Sequence, residues 1–96
     1  MSMDKALQSR LLSFLLPYRP LRIGIFGSYA RGEQNQESDL DILIQFRDRM
    51  SLLTLVQIEQ GLSDELGIPI DLVTENSLRN PRLKKYIYKD LITIYE

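Results

Sequence analysis

Apolar residues recur along this chain at two spacings, and the change from one to the other marks its elements. Met3, Leu7, Leu11, Phe14 and Leu15 repeat at helical intervals. They predict a first helix from about residue 3 to residue 16, stopped by Pro17 and Pro20. Leu21-Arg22-Ile23-Gly24-Ile25-Phe26 then alternates as a strand, which breaks at Gly27-Ser28. Tyr29-Ala30-Arg31 reads as the first turn of a short helix, and residues 32–38 are polar and turn-like. Asp39 to Phe46 reads as a second strand, with Leu40, Ile42, Ile44 and Phe46 on one face and Asp39, Asp41, Leu43 and Gln45 on the other. Leu52, Leu55, Ile58, Leu62 and Leu66 predict a helix over 51–66. Gly61 inside it costs about 1 kcal/mol relative to alanine, and Gly67 is a suitable stop. Pro69 to Val73 is a third short strand. Asn80-Pro81 is a cap and first-position pair, and Leu83, Ile87, Leu91 and Ile94 form the stripe of a last helix. The order α, β, short α, β, α, β, α implies one α/β layer with helices against a small sheet.

The chain has 96 residues, which predicts a single domain over 1–96. Hydrophobic residues are 44% and charged residues 26%, the composition of a globular protein. The balance of 12 Lys+Arg against 13 Asp+Glu gives net charge −1, so the basic excess of a general nucleic-acid binder is missing. With no Cys and no His, disulfides, Cys/His zinc sites, thiol nucleophiles and histidine bases are excluded. Any metal must be held by oxygen ligands, and proton transfer falls to Asp, Glu, Lys or Tyr. The lack of cysteine fits the reducing cytosol. Leu11 to Leu16 is too short to span a bilayer, and the start of the chain lacks the basic region and cleavage site of a signal peptide.

Three features carry candidate chemistry. At Gly27-Ser28 a strand runs into a helix start. Glycine there allows close backbone approach to a ligand, and first-turn amides with the Ser28 hydroxyl suit phosphate oxygens; the same dipeptide also serves as a plain turn. Asp39 and Asp41 project from one strand face, about 7 Å apart by strand rise. Unpaired they repel, and a divalent cation with hard oxygen ligands, such as Mg²⁺, resolves the conflict; a solvated polar face is the plainer reading. Asp71 lies inside an apolar strand and faces away from Ile70 and Leu72. If that strand neighbours the second, three carboxylates share one sheet face, as two-metal phosphoryl chemistry requires. Capping a loop or pairing with a lysine would explain Asp71 equally.

Phe26-Gly27-Ser28-Tyr29-Ala30-Arg31-Gly32 followed by Ser38-Asp39-Leu40-Asp41, with a third aspartate on a later strand, resembles the DNA polymerase β-like nucleotidyltransferase superfamily. Within it the string is similar to the minimal nucleotidyltransferases, the MNT proteins. The resemblance covers nearly the whole chain, and no position of the core motif departs from the family pattern. It implies an α/β (α+β) fold with a single small mixed sheet and helices packed on one face. By position, Gly27 and Ser28 would hold the β/γ-phosphates of a nucleotide. Asp39 and Asp41 would bind two Mg²⁺ ions, and Asp71 would complete the catalytic metal site nearest the attacking hydroxyl. Arg31 would either neutralise the triphosphate or pair with an acidic residue of the polar loop.

Almost all of so short a chain is used to build the site, so the acceptor is expected to bring its own docking surface, as a protein would. MNT proteins pair with HEPN-domain RNase toxins as antitoxins, and some transfer AMP from ATP to a tyrosine of the toxin. The resemblance therefore implies a cytoplasmic, Mg²⁺-dependent protein adenylyltransferase with a HEPN partner, without direct nucleic-acid or membrane binding. The alternatives are a non-catalytic antitoxin that occludes its partner and a small-molecule nucleotidyltransferase. Arg79, Arg82, Lys84, Lys85 and Lys89, with Tyr86, Tyr88 and Tyr95 expected in the same helix, are either a solvated face or a patch for an acidic partner or phosphates.

Overall fold

The structure is a computed structural model that describes residues 4–96. Helix α1, Lys5–Leu15, starts at Asp4, whose carboxylate accepts from the Ala6 amide at 3.1 Å. Met3, placed at the start of this helix by its spacing, lies outside the described residues. Beyond Leu15 the helix tightens into a 3₁₀ turn, Leu16–Tyr18, that accommodates Pro17 in its first turn. Arg19, at φ 60°, then redirects the chain into strand β1, Pro20–Phe26. A single helical turn, α2, Ser28–Arg31, follows. Strand β2, Leu40–Phe46, leads to helix α3, Leu52–Leu66. Ser51 caps α3 by accepting from the Thr54 amide, and Gly67 ends it at φ 71°. Strand β3, Ile70–Thr74, a 3₁₀ turn, Glu75–Ser77, and helix α4, Pro81–Asp90, complete the expected series. Asn80 caps α4 with Pro81 in first position, as its sequence indicates.

The sheet is mixed, in the order β3-β2-β1-β4. Strand β1 is antiparallel to β2, and β3 is parallel to β2 across the α3 crossover. The fourth strand, β4, Ile92–Tyr95, was not expected. The last helix stops at Asp90 rather than running through Leu91 and Ile94, and Tyr95 lies in the strand instead of beside Tyr86 and Tyr88. The cause is the free edge of β1, whose backbone groups need partners. Ile92-Thr93-Ile94-Tyr95, β-branched and aromatic, supplies them antiparallel. Gly24 of β1 makes room for this return: a Cβ there would stand 2.6 Å from Leu91 Cδ1.

The main core joins α1, α3 and one sheet face, with Leu11 and Leu15, Ile23 and Ile25, Leu40, Ile42, Ile44 and Phe46, and Ile58, Leu62 and Leu66. The apolar face of β2 is therefore the one its alternation indicates. Gly61 has a packing reason, since a Cβ there would meet the Phe14 ring at 3.0 Å. Helices are not confined to one face, contrary to expectation: α4 lies on the opposite face, where Phe26, Leu43, Leu78 and Ile87 form a smaller cluster with Val73 and Leu91. Glu75 fastens this second layer. It accepts from Arg22 at 2.6–2.8 Å through both oxygens and from the Tyr88 hydroxyl at 3.3 Å. The outer edge of β3 is closed by Glu59, which accepts from the Leu72 amide at 2.8 Å.

Candidate active site

Strand register brings the candidate residues to one end of the sheet. Asp41 stands opposite Phe26 on one side and Asp71 on the other. Because β1 and β2 are antiparallel, the end of β1, and so Gly27, arrives beside the start of β2. Because β3 is parallel to β2, its second residue arrives there too. Ile70 and Leu72 pack into the main core and Val73 into the smaller one, so Asp71 faces the α4 side of the sheet, as Asp41 does.

Gly27 is fixed by two independent constraints. Its φ of 75° and ψ of −153° lie where essentially only glycine is found. A Cβ would also stand 2.1 Å from Asp41 Oδ2. The group this backbone approaches most closely is thus the Asp41 carboxylate itself. Ser28 follows, half-buried, as the first residue of α2. The carbonyls of Gly27 and Ser28 are taken by the amides of Arg31 and Glu33. The amides of Ser28, Tyr29 and Ala30 open the turn, where no carbonyl one turn earlier in the helix is available.

Asp41 is partly buried, and its pKa is pushed up to about 6. Burial is the main cause, followed by the charge of Asp71, a hydrogen bond with Asp71 and the charge of Asp39, while Arg31 acts in the opposite direction. Asp41 and Asp71 thus form a close acidic pair. Asp39 precedes the paired part of β2 and is exposed. Among the described residues, no three acidic side chains are gathered closely enough to enclose an ion. The structure unites Asp41 and Asp71 and leaves Asp39 exposed just before the paired part of β2. The donors are hard oxygens that repel one another, which suits a divalent cation whose remaining ligands come from elsewhere.

Arg31 is paired with two acidic residues. Its Nε donates to Glu33 Oε1 at 2.9 Å and its Nη1 to Asp90 Oδ2 at 2.8 Å. These bonds raise its pKa further and keep it charged. Asp90, only 17% exposed, had no signal in the sequence, because it lies 59 residues away and no local period relates the two. Of the basic residues near the end of the chain, Arg82, Lys85 and Lys89 line a shallow hollow along α4 with Tyr86 and Tyr88, Lys84 is exposed on the same helix, and Arg79 borders a different cavity.

The family described as nucleotidyltransferase domain matches residues 7–94. A Methanocaldococcus jannaschii protein, provisionally named a protein adenylyltransferase, is 54% identical over 77 residues, covering 80% of this chain and 79% of its own. The protein adenylyltransferase MntA of Thermococcus cleftensis is 39% identical over 72 residues, covering 75% and 72%. Among solved structures, the complex of a tri-AMPylated Shewanella oneidensis HEPN toxin with its MNT antitoxin contains a chain of similar fold. The TM-score is 0.78 at 20% identity, over 97% of this chain and 72% of that one.

Proposed function

The chain belongs to the nucleotidyltransferase domain family, and from that premise we propose that it transfers AMP from ATP to a tyrosine hydroxyl of a HEPN-type RNase toxin, and so acts as its antitoxin in the cytoplasm. The observation that carries this reading is the contact of Gly27 with Asp41, with Asp71 in register beside them. It sets the strand-to-helix turn at Gly27-Ser28 directly against an acidic pair, the arrangement that phosphate binding beside a cation would use. The naming of the T. cleftensis relative and the AMPylated toxin in the S. oneidensis complex support the acceptor class. No helix among the described residues is long and apolar enough to cross a membrane.

In this reading the Gly27 backbone, the first-turn amides of α2 and the Ser28 hydroxyl donate to the β/γ-phosphates. Asp39, Asp41 and Asp71 would hold two Mg²⁺ ions. Bound there, such ions would offset the charge that develops on the phosphates and make an attacking hydroxyl more acidic. Asp71 faces the acceptor and takes part in activating its hydroxyl, since the chain offers no histidine. The acceptor oxygen bonds to the α-phosphorus, the bond from that phosphorus to the bridging oxygen breaks, and pyrophosphate leaves. Arg31, fixed between Glu33 and Asp90, brings positive charge near Asp41.

Intact-mass analysis tests the reading. The full chain is incubated with a HEPN partner, MgCl₂ and each nucleoside triphosphate in turn. ATP should add AMP to the partner, and EDTA should prevent it. An unchanged partner mass with every nucleotide would refute it.

A further inference from the structure

The end of β2 away from Asp41 holds a second cavity of about 480 Å³, within the range of ligand sites. Phe46, Met50 and Leu55 form its apolar side, and Arg49 and Arg79 its cationic side. Its acidic residues already face other cations. Glu75 is held by Arg22, and Asp48 faces Arg19 at 3.8 Å. Neither Arg49 nor Arg79 has an ion pair among the described residues.

Helix α3 rises from the same rim. Leu52 is 78% exposed, Leu53 68% and Val56 50%. At 3.6 residues per turn these three share one outer face with Gln57 and Gln60. From Leu52 to Gln60 that face carries no charge, because Glu59 turns aside to accept from Leu72; one turn further on, Asp64 accepts from Gln60 and ends the uncharged stretch. Three large apolar side chains exposed in one helical turn are costly to leave in water and mark an interaction surface.

We propose that this cavity and the adjoining α3 ridge form one docking surface for an acidic amphipathic helix of a protein partner. Its carboxylates would meet Arg49 and Arg79, and its apolar side chains would cover Leu52, Leu53 and Val56. Charge selects this occupant, since the two guanidinium groups have no ion pair among the described residues, and the ridge offers nothing to a phosphate backbone. The inference deepens the reading of a protein acceptor. It places the acceptor's anchor at the opposite end of β2 from Asp41, so the anchor leaves the nucleotide site open.

The test uses peptide binding and not AMP transfer, so its failure is separate from failure of the enzymatic reading. A fluorescent helical peptide with Glu and Leu on adjoining faces is titrated into the full chain, beside a Lys-for-Glu version and a Ser-for-Leu version. The Glu/Leu peptide should bind saturably and shift the amide resonances of Arg49, Leu52, Leu53, Val56 and Arg79. Arg49→Glu combined with Arg79→Glu, and separately Leu53→Asp, should each weaken it about tenfold or more. All these positions are exposed, so folding should survive; ATP binding serves as the control. Equal binding of the Lys peptide, shifts confined to α4, affinity unmoved by either variant, or no saturable binding would overturn the proposal. So would sedimentation showing that the chain alone forms a dimer that Leu53→Asp dissolves, since the occupant would then be a second copy.

Discussion

Replacing Gly27 by alanine tests the site's geometry at its tightest point. The new methyl carbon would stand 2.1 Å from Asp41 Oδ2 and 3.1 Å from Asp41 Cγ, where ordinary contact begins at 3.4 Å. The carboxylate must therefore move by more than an ångström, or the turn must. The backbone conformation adds strain of about 1–3 kcal/mol for a residue with a Cβ. In a domain of this size each kcal/mol lowers Tm by roughly 4–8 °C, so strain alone predicts a fall of about 5–20 °C. Misplacing a reacting group by about 1 Å costs on the order of 100-fold in rate. Gly67→Ala is the control, because its φ is also positive, at 71°, but nothing lies within 4 Å. It should cost about 1–2 kcal/mol with transfer unchanged. Adding Asp41→Ala to Gly27→Ala should recover the steric part of the stability loss and leave the strain, a coupling that a double-mutant cycle reads directly. Thermal melts followed by circular dichroism, with AMP transfer on the folded fraction, decide the matter. A Gly27→Ala protein that melts with the wild type and transfers AMP at the same rate would refute the reasoning.

Asp41 also sets a pH dependence. Its folded pKa of about 6 lies above the ordinary 3.8, so the native state binds the proton more tightly than the unfolded chain. The Asp41 contribution to stability without metal should therefore be fully present below pH 4 and lost above pH 6, a fall of about 1–2 kcal/mol once solvent screening is allowed for. Urea titrations in EDTA should show Asp41→Asn removing this component; an identical pH profile in the variant would contradict it. Ser28→Ala should weaken transfer by roughly one to two orders of magnitude, because a hydrogen bond to a charged group contributes about 1.5–3 kcal/mol, while the circular dichroism spectrum stays native. Asp90→Asn removes a charged partner of Arg31 and should lower Tm by a few degrees and raise the KM for ATP, with Asp90→Glu restoring part of both; a variant identical to wild type in both measures would show that the pair does nothing.

Where local rules decide the structure, the sequence was sufficient. The alternation of Leu40, Ile42, Ile44 and Phe46 against Asp41 and Leu43 assigns the faces of β2 without any tertiary information. The caps at Asn80 and Gly67 are similarly local. The placement of Asp71 beside Asp41 required one topological assumption, a parallel neighbour strand, and the register meets it. Strand β4 was hidden because Ile87, Leu91 and Ile94 continue a helical stripe by coincidence. The need that overrides it, the open edge of β1, exists only once the sheet is assembled. The Arg31–Asp90 and Arg22–Glu75 pairs were hidden for the same reason, since each joins elements more than fifty residues apart. Asp39 shows the opposite limit. Its spacing from Asp41 suggests a ready cluster, yet β2 begins pairing only at Leu40, and the Asp39 side chain stays in solvent.

The central claim is that the acidic pair and its phosphate turn do chemistry, beyond shaping a surface that blocks a partner. Asp39→Asn with Asp41→Asn removes two negative charges at nearly constant volume and leaves the apolar face of β2 intact. The most direct measurement is the survival of cells that express the HEPN partner together with this double variant, once circular dichroism has shown it folded. The account predicts that the variant fails to protect and that the partner recovered from those cells carries no AMP. Full protection by a folded variant that adds no AMP would contradict the account and leave occlusion as the mechanism.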